Sequence, residues 1–507
     1  MSEDLQDLFA NLPAYLGGHL LLSVAAVAAA VAVGVPLGVV ARRRPRLAEA
    51  VLAAAGVIQT VPTLALLALF MLLLGGTVGF LPAFLALVLY AILPVLANTV
   101  AGLRGIDPAL TEAARGLGMN DRQALWRVEL PLAAPVIVGG VRTATVLVVG
   151  TATLATPVGG LSLGNYIFAG ITTLNHTATL FGCVGAALLA VGLDQLVRLL
   201  AVAVRRRSRR LAWAAAVTLV AAVGVGLAEP TGRRLDDDRV VVASAAFTEQ
   251  YTLSHAISAR LDGAGFRAER REGMGYGLQH SALQQGEVDC LVAYTGDVWS
   301  LLMKRTDVAD RDTTLRETTR YLEEDYGVVC LGPLGFENSY AVAVSGERAR
   351  ADRLTTIADL VAHVRSHPDR RLRVAGDMGV FHLAEWRRLK ERYGLRDEEV
   401  EPVELDPALM YAAVADGRVD AAVAFSSDGR VGAFGLKLLD DPRQAFPPYD
   451  ALLLLSRRAA ARPGVVDALR PLVGAVGQER MREANRRVDV DKESPKRAAG
   501  WLLRPDR

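Results

Sequence analysis

Up to about Leu227 the chain is a succession of long apolar runs. From Arg239 onward the apolar residues come in short clusters divided by charged and turn residues. Six runs are long enough to cross a bilayer, which takes about 20 apolar residues. They lie at roughly His19–Val40, Ala48–Leu74, Val78–Ala101, Leu132–Ala155, Thr179–Val202 and Leu211–Leu227. In the second half, short β-type clusters begin with Arg239-Val-Val-Val-Ala-Ser. They continue at Val288–Tyr294, Val328–Gly332, Ala341–Val344, Arg373–Ala375 and Ala421–Ala424. They alternate with helical patterns such as Thr248–Leu261. This alternation predicts an α/β domain with largely parallel sheets. The chain therefore divides into an all-α polytopic membrane domain over 1–230, a polar linker over 231–238 and an α/β domain over 239–507.

Charge gives the membrane domain a direction. Arg42, Arg43, Arg44 and Arg46 follow the first run, and Arg104, Arg115, Arg122 and Arg127 lie between the third and fourth. Arg205, Arg206, Arg207, Arg209 and Arg210 follow the fifth, whereas Gly75–Thr77 and Pro157–Ala178 hold no Lys or Arg. Basic loops stay in the cytoplasm. The expectation is a multi-pass protein of the cell membrane with its N-terminus outside. After an even number of crossings the α/β domain is outside as well, tethered by the sixth span, although the Arg-rich start and Gly226-Leu227-Ala228 end of that span also resemble a leader with a cleavage site. Arg142, about ten residues into the fourth run, is an intramembrane charge and so a candidate for pairing or function. The net charge of +2 argues against a nucleic-acid partner. The three cysteines, Cys183, Cys290 and Cys330, have no metal-ligand spacing; Cys290 and Cys330 are either free thiols or an external disulfide. His363 and His367 stand in a charged stretch without a third ligand, so no metal is assigned.

The segment over 104–131 is polar between two apolar runs, so it is expected to dock on something in the aqueous phase. Asp107-Pro108 is a helix-start signal, Gly118 permits a tight reversal, and Asp121–Glu129 suits a second charged helical piece before Pro131 resets the chain. Glu112-Ala113-Ala114, three residues, Gly118, nine residues, then Val128-x-Leu130-Pro131 resembles the EAA signature of ABC-importer permeases, with Val in place of the usual Ile. The resemblance implies that this helix–turn–helix fits a groove on a separate ATPase subunit, and that the membrane domain pairs with a second copy or a sister chain. No G-x-x-x-x-G-K-[ST] phosphate loop occurs in the sequence, so ATP must be bound by the partner.

In the second half, AFTEQYTLS, DCLVAYTGDVW, FENSYAVAV, LMYAAVADGRVDAAVAFSSDGR and FPPYDALLLL resemble the osmoprotectant (glycine betaine, choline, carnitine) binding proteins of ABC importers. The likeness runs from about Val240 to Ser456. It implies a periplasmic-binding-protein-like domain with one lobe at about 239–335 plus 450–507 and the other at 336–449. A quaternary ammonium cannot donate a hydrogen bond, so aromatic faces hold it. The resemblance places Tyr294, Tyr340 and Phe425 in that cage, with Tyr276 as a further wall. Thr248, Gln250, Thr295, Asn338, Ser426 and Arg430 are expected around the ligand's polar tail, Arg430 as carboxylate partner. Glu249 is read as starting its helix and Asp428 as an elbow or capping residue. Phe425 stands where the family often has tyrosine, Gly275-Tyr276-Gly277 departs from the usual Gly-Gly-Thr, and YTGD brings an extra acid, Asp297. These departures keep open another trimethylated zwitterion, such as ergothioneine, as the cargo. No catalytic arrangement and no cofactor is expected; a membrane-anchored sensor is the rival class.

Overall fold

The computed structural model describes residues 3–173, 175–205, 238–367, 369–377 and 379–504. The chain forms two compact units, one of the residues up to Asp237 with Arg271–Leu278, the other of Asp238–Arg270 and Gln279–Arg507.

The first unit is helical. Among the described residues, Asn11–Ala41, Phe80–Arg104, Asp121–Val158 and His176–Val202 are each long and apolar enough to cross a membrane. The second expected span is broken: Pro45–Thr60 and Thr63–Leu73 meet at 100°. The cause is Pro62. Its ring drives Val61 into an extended conformation, φ −71° and ψ 128°, and ends the first helix. The Tyr90 hydroxyl donates to the Val61 carbonyl that the break leaves open. The sixth expected span lies outside the described residues. Pro157–Ala178, read as a loop, contains the helix Gly164–Thr172. Ala26, Ala30, Ala83, Ala86, Ala91, Ala144 and Ala152 meet in the interior of the unit. Without a hydrophobic drive between helices in lipid, small side chains let the backbones approach and gain dispersion contacts. Arg142 is paired, its Nε and Nη2 each 2.7 Å from an oxygen of Asp194 on the last long helix.

Among the described residues from Asp238 onward there are ten strands: β1 Arg239–Ala245, β2 Arg267–Met274, β3 Cys290–Tyr294, β4 Val329–Glu337, β5 Tyr340–Ser345, β6 Leu372–Gly376, β7 Val400–Glu404, β8 Ala421–Phe425, β9 Leu436–Leu439 and β10 Asp450–Leu455. They form two five-stranded sheets, ordered β2-β1-β3-β10-β4 and β7-β6-β8-β5-β9. The sheets are mixed, not largely parallel. β1–β3, β6–β7 and β6–β8 are parallel, while β10 runs antiparallel to β3 and β4, and β5 to β8 and β9. In the first sheet chain return explains this: β10 re-enters between β3 and β4, two strands already laid down. Every residue of β10 is buried: the leucine run suits this, and Asp450 is held there by Arg311. Cys290 and Cys330 face opposite neighbours across β10 and are free thiols.

Candidate functional site

Two regions concentrate the candidate residues. In the polar segment, Asp107 caps the helix Pro108–Gly116 by accepting from Ala109 N at 2.9 Å, and Pro108 occupies the first turn, where its missing N–H costs nothing. Glu112 and Ala113 are exposed on this helix and Ala114 is buried. Gly118 has φ +79° with open space around it, so conformation and not crowding calls for glycine. Asn120 and Gln123 form a reciprocal capping box at 3.0 and 2.9 Å, which starts the next helix. Pro131 does not reset the chain, contrary to expectation. A π-helical turn over Leu125–Glu129 runs directly into the helix Leu130–Ala152, and Leu130 and Pro131 form the latter's first turn. Arg42 pairs with Glu129 at 2.8 Å and Arg43 with Asp121 at 2.5 Å, which ties the segment to the end of the first long helix. Leu117 is 79% exposed and Trp126 63% exposed, apolar groups left open beside exposed charge.

The second region lies between the two sheets. Tyr340 and Phe425 are cross-strand partners on β5 and β8, with ring centroids 5.0 Å apart. Tyr449, one residue before β10, stands edge-on to Tyr340 at 6.1 Å. A β-carbon on Gly296 would sit 2.5 Å from the Tyr449 ring, so only glycine lets that ring lie where it does. The charges of three carboxylates reach these tyrosines. Burial raises the Tyr340 hydroxyl pKa, and Asp377, Glu385 and Asp297 add to the shift. Burial raises that of Tyr449 too, again helped by Asp297 and Glu385. Aromatic faces under a negative potential suit a cation that has no hydrogen to donate.

Tyr294 is buried, its ring 6.2 Å from Phe247, and its hydroxyl donates to Glu249 Oε1 at 2.5 Å. Glu249 also accepts from Asn338 Nδ2 at 3.2 Å and Asn485 Nδ2 at 2.9 Å. Burial raises its pKa against hydrogen bonds from Ser427, Tyr294, Asn485 and Asn338 that favour the carboxylate. Gln250 Nε2 donates to Val292 O at 3.0 Å and reaches the Tyr294 hydroxyl at 3.3 Å. Thr248 donates to Asp489 at 2.6 Å, and Thr295 bonds Pro448 O at 3.0 Å and Asp450 N at 2.9 Å. Ser426 Oγ bridges Glu337 O and Ser339 N, both at 3.0 Å, beside the link between the sheets. Arg430 is engaged with Asp428 at 2.9 and 2.6 Å and lies 4.7 Å over the Tyr411 ring. Asp428 caps its helix by accepting from Arg430 N. Tyr276 begins a short helix in the Arg271–Leu278 segment and groups with the first unit. Sequence reasoning overlooked Tyr449, Glu385 and the bonding of Glu249. Tyr449 lay in the quoted Phe-Pro-Pro-Tyr-Asp motif, where the paired prolines mark a fixed approach to β10.

Comparison with known proteins adds the following. Residues 238–504 match the substrate binding domain of ABC-type glycine betaine transport systems. Residues 31–210 match the inner membrane component of binding-protein-dependent transport systems. The ergothioneine transport permease/ergothioneine binding protein EgtU of Helicobacter pylori (strain G27) is 30% identical over 487 residues, spanning 93% of this chain and 86% of that one. The choline transport system permease protein OpuBB of Bacillus subtilis (strain 168) is 44% identical over 188 residues, 37% of this chain and 84% of that one. A crystal structure of a glycine betaine/carnitine/choline ABC transporter overlays 52% of this chain and 97% of its own at 24% identity and TM-score 0.48.

Proposed function

We infer the cargo and its handling from one premise: the chain belongs to the fused permease and substrate-binding subunits of the glycine betaine, choline and carnitine type of ABC importer. Its work is transport. The α/β domain captures a quaternary-ammonium or betaine-type solute outside the cell, and the helical domain passes it inward. A separate cytoplasmic ATPase docks on the 104–131 segment, around Glu112, Gly118 and the open Leu117 and Trp126. A second permease unit, from another copy or a sister chain, completes the path through the bilayer. No chemistry on the solute and no cofactor enters this scheme. The observation that carries it is the aromatic group Tyr340, Phe425 and Tyr449, on which the charges of Asp297 and Glu385 act. Such a group offers π faces and negative charge to a trimethylammonium.

A second reading exchanges the cargo for ergothioneine, also a trimethylated amine. It is favoured by the relative that matches this chain along both domains. Calorimetric titration of the full-length protein in nanodiscs with glycine betaine, choline, carnitine and ergothioneine separates the two. The first reading expects binding of at least one osmoprotectant. Binding of ergothioneine alone would favour the second, and binding of none would remove the cage.

A further inference from the structure

Arg388 is a half-buried cation whose Nη1 is buried and has a donor to spare. It lies on the helix Ala384–Tyr393, three residues after Glu385 and therefore on the same face. Its charge and that of Glu385 are both felt at the Tyr449 hydroxyl, with opposite signs. Its Nη2 donates to the Thr306 carbonyl at 3.1 Å, a bond from the β5–β9 side of the cleft to the β1–β4 side. Its Nη1 is buried and has no hydrogen-bond partner among the described residues. A guanidinium offers five donors, accepts nothing and keeps its charge, so a buried unused donor invites an acceptor. The nearby acid does not supply one. Asp307 feels the charge of Arg388, yet its two oxygens are taken by Arg305 at 3.0 and 2.6 Å. Arg430, expected from the sequence to meet a carboxylate, is already closed by Asp428 at 2.9 and 2.6 Å.

We propose that Arg388 receives the carboxylate of the solute, and so selects zwitterions that carry both a quaternary ammonium and a carboxylate over alcohols such as choline. This rests on the aromatic-cage reading of the same cleft. The charges then sort by end. The ammonium lies over Tyr340, Phe425 and Tyr449 with Asp297 and Glu385 nearby, and the carboxylate meets the Nη1 edge held in place by the Thr306 bond. Without Arg388 those same acids repel a carboxylate, whereas for a plain cation the loss of a positive neighbour is favourable. The two ligand classes should therefore respond in opposite directions.

The test is titration of the full-length protein in nanodiscs with glycine betaine, carnitine and choline, for the parent, Arg388→Met and Arg388→Lys. Arg388→Met keeps an apolar stem and is expected to weaken glycine betaine and carnitine by about thirtyfold or more while choline binds as tightly or more tightly. Arg388→Lys keeps the charge without the planar fork and is expected to fall between. Choline binding by Arg388→Met also reports that the variant is folded. Equal losses for all three ligands, or undiminished glycine betaine binding by Arg388→Met, would overturn the assignment. So would a parent protein that binds choline and neither carboxylate-bearing solute, which leaves the cage intact. A parent that binds none of the three, nor ergothioneine, overturns the cage reading and this assignment with it.

Discussion

The polar 104–131 segment and the cleft between the two sheets are built in opposite ways. In the segment the caps and the turn are local: Asp107 caps two residues on, Gly118 turns the chain, and Asn120 and Gln123 bond each other, while the ion pairs to Arg42 and Arg43 only anchor it. Its apolar side chains stay open to the outside. In the cleft the contacts join distant positions, Glu249 to Asn485, Thr248 to Asp489 and Tyr340 to Phe425, and the groups are withdrawn from water. A surface that another protein completes can be specified by neighbours in sequence. A pocket for a small molecule needs the whole chain closed around it. Substitutions in the cleft should accordingly move stability and affinity together, and substitutions in the segment should move coupling alone.

The largest effect is expected at Glu249. Glu249→Ala leaves the Tyr294 hydroxyl and the Asn338 and Asn485 amides without their acceptor. Unmet buried donors cost about 1–3 kcal/mol each, partly offset because a buried carboxylate is no longer desolvated, so a net loss of about 3 kcal/mol is expected. Thermal unfolding should show it, with solute affinity falling in step, and Glu249→Gln should recover most of both. Tyr340→Ala comes next. Loss of one desolvated cation–π face of about 2 kcal/mol should weaken solute binding about thirtyfold, read by calorimetry. Gly118→Val follows. A β-branched residue at φ +79° carries about 1–2 kcal/mol of local strain. Ligand-stimulated ATP hydrolysis should drop about tenfold with solute affinity unchanged; a matching loss of affinity would break the contrast between the two regions.

The same contrast explains what could be read from the sequence. The segment was legible residue by residue, because its caps and turn obey short-range rules; only Pro131 misled, since a π-turn upstream is not visible in a spacing. The alternating strands and helices of the second domain were legible too, and so were Tyr340 and Phe425 after resemblance pointed to them. Strand direction was not, because β10 enters the first sheet from far along the chain. Tyr449 depends on the space left by Gly296, and the role of Glu249 on Asn485, more than two hundred residues away. Arg430 was well placed by chemistry and claimed by a nearer partner, Asp428. A charged side chain in a motif cannot reveal from sequence alone which acid reaches it first.

The smallest and most selective expected effect concerns pH. Burial pushes the Asp489 carboxyl up to about 6 from 3.8, with Arg430 opposing and Asp428 reinforcing the shift. Between those two values the folded protein keeps a proton that the unfolded chain has released. Stability from this group therefore falls as pH rises through the window and levels off above about 6. Asp489→Asn removes the titration and retains an acceptor for Thr248, 2.6 Å away in the parent. Because Asp489 is only half-buried, solvent screening reduces the expected gain to on the order of 1 kcal/mol. The variant should melt a few degrees above the parent at about pH 7.5 and with it at about pH 4. Thr248–Asp489 is one of the cleft's long-range contacts, so solute affinity should rise slightly with the melting temperature at about pH 7.5 and match the parent's at about pH 4. A pH-independent difference would show that Asp489 acts through packing and not through its charge.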